Sequence, residues 1–235
     1  MSLPLLLTIL LGGVAALDAT PVAQTLLSQP LVTGTLLAAI WGEWRTALET
    51  AIVLQLFAAS TAPVGSRTPP DYAVGGVIGV GTAVALSAGR PFPFAQNACA
   101  LLGVLVGLIA AIAGSAVLRW QRRLNEGLAR WCEERLQAGD ERALAGAQRA
   151  AIVLAFAVGV GYCAVCLGVS LMTLRGLVSE ESLRLSRAWR LAQPLWLGLG
   201  LAQILQLFVQ RRMVRVAVFG AALIAAWLVL VVGSP

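Results

Sequence analysis

Residues 150–174 read AAIVLAFAVGVGYCAVCLGVSLMTL, an apolar run with no charged side chain. A bilayer core of ~30 Å needs about 20 such residues in a helix, so this stretch is long enough to span one. Two further runs follow, Leu191–Val209 and Met213–Gly233, separated from the first by the polar stretch Arg175–Arg190. The rest of the chain has the same character. Of 235 residues, 59% are hydrophobic and only 12% charged. A soluble domain carries about 25% charged residues, so the polar residues here are too few to coat a water-facing surface. No stretch alternates with a period of two, which excludes a β-barrel.

All seventeen basic residues are arginine, and there is no lysine or histidine. The net charge of +6 does not indicate nucleic acid, because the arginines cluster at the ends of apolar runs, as the positive-inside rule describes. The four cysteines are too few for a disulfide framework. Cys163-x-x-Cys166 lies inside an apolar run with no histidine to complete a metal site, so it reads as packing. No cofactor and no metal are expected.

Upstream, Leu3–Leu17 lacks the basic n-region of a signal peptide and reads as a short first helix ending near Asp18. Ala19–Gly42 carries Gln24, Ser28 and Gln29 and is broken by Pro30. Thr46–Val64 contains Glu49 and Gln55 and ends at Pro63. A turn-rich stretch, Gly65-Ser66-Arg67-Thr68-Pro69-Pro70-Asp71, precedes the run Tyr72–Gly89. Broken backbone at membrane depth is tolerated only where protein buries it or a cavity wets it, and interrupted segments point to a transport site. Pro91–Leu118 is a further span.

Arg119–Arg149 is the one long polar segment. Trp120, Leu124, Leu128 and Trp131 share a helical face, which predicts an amphipathic helix on the membrane surface or on a partner. Its seven arginines against five acids, with Arg211, Arg212 and Arg215, place it in the cytoplasm. The fold class is an all-α polytopic membrane protein of about seven or eight transmembrane or re-entrant helices, plus this amphipathic helix.

Gly75/Gly79 and Gly103/Gly107 have the four-residue spacing that lets membrane helices approach closely. Arg45 and Glu49 are spaced to pair on one helix face. Gln203, Gln206 and Gln210 share a face suited to interhelical hydrogen bonds. Amide and carboxylate side chains such as Gln55 and Asp71 also suit the hydroxyl groups of a sugar. Asp71, before Tyr72, equally suits a helix N-cap. No catalytic histidine or nucleotide loop is present.

The stretch from Leu27 to Asp71 resembles the membrane subunit IIC of the mannose/sorbose-type sugar phosphotransferase system. The likeness rests on Ser28-Gln29-Pro30-Leu31, Gly42-Glu43, Leu54-Gln55-Leu56 and the run from Pro63 to Asp71, with Leu17-Asp18-Ala19-Thr20 upstream. It covers about the first third of the chain. It implies a sugar-translocating subunit without a phosphorylated residue of its own. Its partners would be a second membrane subunit IID and cytoplasmic IIA and IIB phosphocarriers, in an oligomer in the bacterial inner membrane. Gln55 and Asp71 are then the first candidate contacts to a hexose-type sugar, with Gln24, Ser28 and Gln29 next. Ser28 stands where the family often has histidine, Pro63 where it has asparagine, and Arg67 where it has alanine. These departures leave open a non-transporting scaffold that docks phosphotransferase proteins. The expected organisation is one integral membrane domain over residues 1–235. Within it lie the family-like broken-helix region 1–89, the amphipathic cytoplasmic segment 119–149 and the C-terminal spans 150–235.

Overall fold

The computed structural model describes residues 2–19, 22, 25–59, 68–89, 93–208 and 212–232. Seven helices account for nearly all of them: α1 (Leu3–Ala19), α2 (Pro30–Trp41), α3 (Trp44–Ala59), α4 (Tyr72–Ser87), α5 (Pro93–Gln137), α6 (Ala143–Phe208) and α7 (Arg212–Val232). Among the described residues there is no strand. The all-α membrane class read from the hydropathy pattern is the one observed.

α4 is the axis of the bundle. From Ala73 to Ser87 every residue except Ala85 is buried, because glycines on its faces admit neighbours on different sides. A Cβ on Gly79 would lie 2.7 Å from the Gly103 carbonyl oxygen and 2.8 Å from Gly107 Cα. The paired glycine spacings of α4 and α5 are therefore a backbone-to-backbone contact, as their sequence pattern implies. On another face of α4, Gly76 receives the ring of Pro30 at the start of α2, 3.0 Å from where its Cβ would be.

The register of the helices follows from these contacts. Gly79 meets Gly103 and Gly75 meets Ala111, so α4 and α5 are antiparallel. Arg45 reaches Asn97 and Leu54 reaches Gly107, so α3 runs with α5. α2 closes on α3 through Gly42, whose left-handed φ of 72° ends α2 two residues before α3 begins.

α6 has 66 residues, about 100 Å if straight, and it is not straight. Leu167 packs against Gly81, whereas Gly200 packs against Leu56 and Trp189 bonds to Glu49. The first leg therefore runs with α4 and the second runs back along α3. The reversal lies around Glu181, the one residue in α6 with non-helical backbone angles (φ −116°, ψ 18°). Arg175–Arg190, expected as a polar linker, is thus helical on both sides of a corner. It holds leucines, arginines and glutamates and no proline, so its helix propensity is high, and polarity alone does not make a coil.

The amphipathic stretch Arg119–Arg149 also differs in form. It is not a separate surface helix. Nothing breaks the helix between Ser115 and Arg119, so the apolar half of α5 continues directly into the polar half. The chain turns at Gly139, with φ 87°, and returns as the start of α6. At 45 residues, α5 is about 67 Å long, twice a bilayer core, and its distal part forms a helical hairpin with residues 143–149, here called the arm. Cys163, from the C-x-x-C, packs against Gly12 of α1. Gln210 lies outside the described residues.

Candidate functional site

α1 ends at a buried carboxylate. Asp18, 5% exposed, accepts the Thr25 backbone N–H and, at 2.8 Å, its hydroxyl, both on Oδ1, while Oδ2 accepts the Ser28 N–H at 2.8 Å. These bonds bind the end of one helix to the loop that starts the next. The loop turns at Leu26, which has φ 74°, a left-handed conformation that disfavours a branched side chain. The Gln29 N–H donates to the Leu26 carbonyl at 2.9 Å.

Pro30 then occupies the first position of α2, where its missing N–H costs nothing. The N-cap residue, Gln29, makes no side-chain cap. The acceptor comes from another helix instead. Gln55, on α3, takes the Leu31 N–H on Oε1 at 3.1 Å and donates from Nε2 to Gln29 Oε1 at 2.7 Å. One amide has two N–H groups and two lone pairs, so these two bonds fix its plane and leave the other positions directed elsewhere. Ser28, Gln29 and Gln55 are thus brought together at the start of α2, with Asp18 beneath them. Gln24 lies outside the described residues.

Asp71 is placed differently. It caps α4, with Oδ1 accepting the Val74 N–H at 3.2 Å, and its own N–H donates to the Ala111 carbonyl at 2.8 Å. Its Cβ lies 2.8 Å from where a Gly114 side chain would begin, and Tyr162 lines the same spot. The Tyr162 hydroxyl donates to the Ala110 carbonyl at 2.6 Å. Asp71 therefore faces α5 and α6, whereas Pro30 meets α4 on the α2 side. Among the described residues no hydrogen bond joins Asp71 to Gln29 or Gln55. The capping role weighed for Asp71 is present. Residues 63–67, including Pro63 and Arg67, lie outside the described residues, but Thr68, just after them, accepts from Arg122 of the arm at 3.4 Å.

A second polar group occupies the opposite end of the bundle. Arg45 and Glu49 pair at 2.9 Å as their spacing implies. Glu49 Oε2 also accepts the indole N–H of Trp189 at 3.2 Å. Arg45 donates to Asn97 at 3.3 Å, and Asn97 donates to Ser186 at 3.2 Å. The group ties the returning leg of α6 to α3 and α5. Sequence reading missed Trp189, which is 1% exposed. Its signal was a lone tryptophan among arginines in a stretch taken as a linker. Glu49→Ala strands the buried indole N–H and is expected to cost about 1–3 kcal/mol; Glu49→Gln keeps an acceptor and costs less. Thermal unfolding in detergent measures both, and equal midpoints for the two variants would show that the indole bond contributes nothing.

A short apolar helix thus opens inside the bundle with its Leu31 N–H served by the Gln55 side chain of another helix, the kind of broken segment that membrane proteins of the all-α class place at a polar site. The family model described as "PTS system sorbose-specific iic component" matches residues 3–234, and the chain belongs to that family. It is thus a membrane component of the sugar-specific IIC type. The likeness visible in the first third extends to the whole chain. A solved structure described as "Structure of membrane protein" has the same fold, with a TM-score of 0.67 at 16% identity over 97% of this chain and 96% of its own. No curated protein matches the sequence.

Proposed function

We propose that this chain is the sugar-translocating subunit of a mannose/sorbose-type phosphotransferase permease, and that its sugar binds at the open start of α2. The observation that carries this reading is Gln55 reaching from α3 to the Leu31 N–H and to Gln29. That geometry gathers amide donors and acceptors on a held loop, which suits neutral hydroxyl groups. Asp71 stands across α4 as a second contact, on a separate wall. The chain offers no histidine to carry phosphate, so phosphoryl transfer falls to cytoplasmic IIA and IIB proteins, with a IID subunit beside it in the bacterial inner membrane. The substrate class is a hexose-type sugar.

The test is uptake and phosphorylation by membranes co-expressing the chain with its neighbouring subunits. Gln55→Ala is expected to lower uptake at low sugar concentration about tenfold, the equivalent of one lost hydrogen-bonding partner. Asp71→Asn keeps most capping ability and removes the charge, and it is expected to lower uptake by a similar factor with little loss of folded protein. Parent-like transport by either variant removes that residue from the site. If both transport normally, the rival reading gains: a non-transporting scaffold that docks phosphotransferase proteins, which the projecting arm favours.

A further inference from the structure

We propose that the groove between the arm and the first leg of α6 is a binding site for one anionic phospholipid, its phosphate on Arg149 and one acyl chain along α6. The groove holds about 640 Å³ and is walled by Leu124 and Leu128 of α5 and by Arg149, Val153, Leu154 and Ala157 of α6. Two contacts set the register of its walls. Trp131 lies against Gly146, and Tyr162 bonds to Ala110 and lines Gly114. Residues 150–157 of α6 therefore lie opposite roughly residues 118–127 of α5. The first stretch is wholly apolar; the second contains Arg119, Arg122, Arg123 and Glu126.

The two helices thus leave the apolar zone at different heights. α6 stays apolar about 12 Å further toward the arm's tip than α5 does, eight residues at 1.5 Å each. Val153, 66% exposed, is left uncovered by α5 in this interval. An apolar strip beside a helix that has already become polar is unsuited to water and too shallow for the bilayer interior. A molecule apolar at one end and charged at the other fits both.

The charged side chain that lines the groove is positive, although residues 130–149 of the arm balance four arginines with Glu133, Glu134, Asp140 and Glu141. Arg149 lines the groove and is exposed. Arg142 lies in the turn just before α6, and Arg135 stacks over Trp131 at 5.8 Å. Exposed Trp120 and Trp131 flank Leu124 and Leu128 on α5. Tryptophan beside arginine at the end of an apolar strip is the composition of a membrane interface, and an arginine at this level attracts anionic headgroups by about 1 kcal/mol. A zwitterionic lipid fills the same trough without that gain. The site lies away from α2 and stands independently of the transport reading.

The test uses the full chain, delipidated in mild detergent and titrated with phosphatidylglycerol or with phosphatidylcholine of the same acyl chains, with bound lipid counted by native mass spectrometry. The parent is expected to prefer phosphatidylglycerol. Arg149→Gln is expected to weaken phosphatidylglycerol binding about fivefold and to weaken phosphatidylcholine, whose choline offsets its phosphate, by less. Val153→Trp fills the trough and weakens both. Arg184→Gln, at an exposed arginine paired with Glu181 instead, leaves both unchanged. Equal affinity for the two lipids overturns the proposal, as does a preference that survives Arg149→Gln. A partner subunit that cross-links to Val153→Cys in native membranes, with no lipid retained, overturns the lipid as occupant.

Discussion

Asp18→Ala is expected to abolish sugar uptake while the helix bundle still assembles. The carboxylate accepts from the Thr25 N–H, the Thr25 hydroxyl and the Ser28 N–H, and hydrogen bonds to a charged group each contribute about 1.5–3 kcal/mol. Those bonds hold a loop in which Leu26 has a positive φ, a conformation that costs about 1–3 kcal/mol when its surroundings do not enforce it. Without Asp18 the loop relaxes, and Gln29 no longer presents its amide to Gln55. The helices themselves are held by contacts elsewhere, so folded yield is expected to fall little. Asp18→Asn is intermediate, because the amide keeps one acceptor but turns an N–H₂ toward the other donor. Uptake assays read the transport effect, and limited proteolysis of the loop between α1 and α2 reads the structural one. A loop as resistant as the parent's, in a variant without Asp18, shows that the carboxylate does not hold it. A protease-sensitive loop with parent-like uptake instead moves the sugar site away from α2.

Gly79→Leu is expected to eliminate folded protein. A methyl group at this position would already sit 2.7 Å from the Gly103 carbonyl oxygen and 2.8 Å from Gly107 Cα. Both are backbone atoms, so no rotamer change makes room. Gly79→Ala is expected to cost about 1–3 kcal/mol, the usual penalty for overpacking a close-packed interior, and leucine far more, because α4 and α5 must separate along their contact. Gly127 is the control. It lies in the arm with nothing within 4 Å of a Cβ, so Gly127→Ala is expected to stabilise the helix by about 0.5–1 kcal/mol. Size-exclusion recovery in detergent and thermal unfolding compare the set. A Gly79→Leu chain recovered as a monodisperse species with the parent's unfolding midpoint would refute the close approach.

The arm shows where reading the chain one segment at a time runs out. Trp120, Leu124, Leu128 and Trp131 share a face, and that face was legible as amphipathic. Hydropathy reports the face, but not whether the helix lies flat or projects. That depends on the backbone between Ser115 and Arg119, which contains no breaker, and on the turn at Gly139. The Arg175–Arg190 stretch is similar. Its polar character suggested a linker, but the corner between the two legs of α6 needs only one residue with non-helical angles, here Glu181. Trp189 was invisible for the same reason, since its partner Glu49 lies 140 residues away.

The amino-acid sequence by itself determined the membrane solvent, the helical class and the residues that break helices. Apolar length, the absence of period-two alternation, and the positions of Pro30, Gly42 and Pro69-Pro70 act locally along the chain. It also marked the polar residues at the first broken segment, and Gln29 and Gln55 do meet. Only the tertiary structure decided which candidates share a wall. Gln55 reaches the α2 N-terminus because α2 and α3 are antiparallel across Gly42, whereas Asp71 is turned toward Gly114 and Tyr162 by the α4–α5 glycine contact. Asp18 gained its importance the same way: an acid at the end of an apolar helix, with no local partner, found its donors only when the following loop folded back over it. Covering a carboxylate with a loop requires such donors, and here they come from the fold of the segment that follows α1.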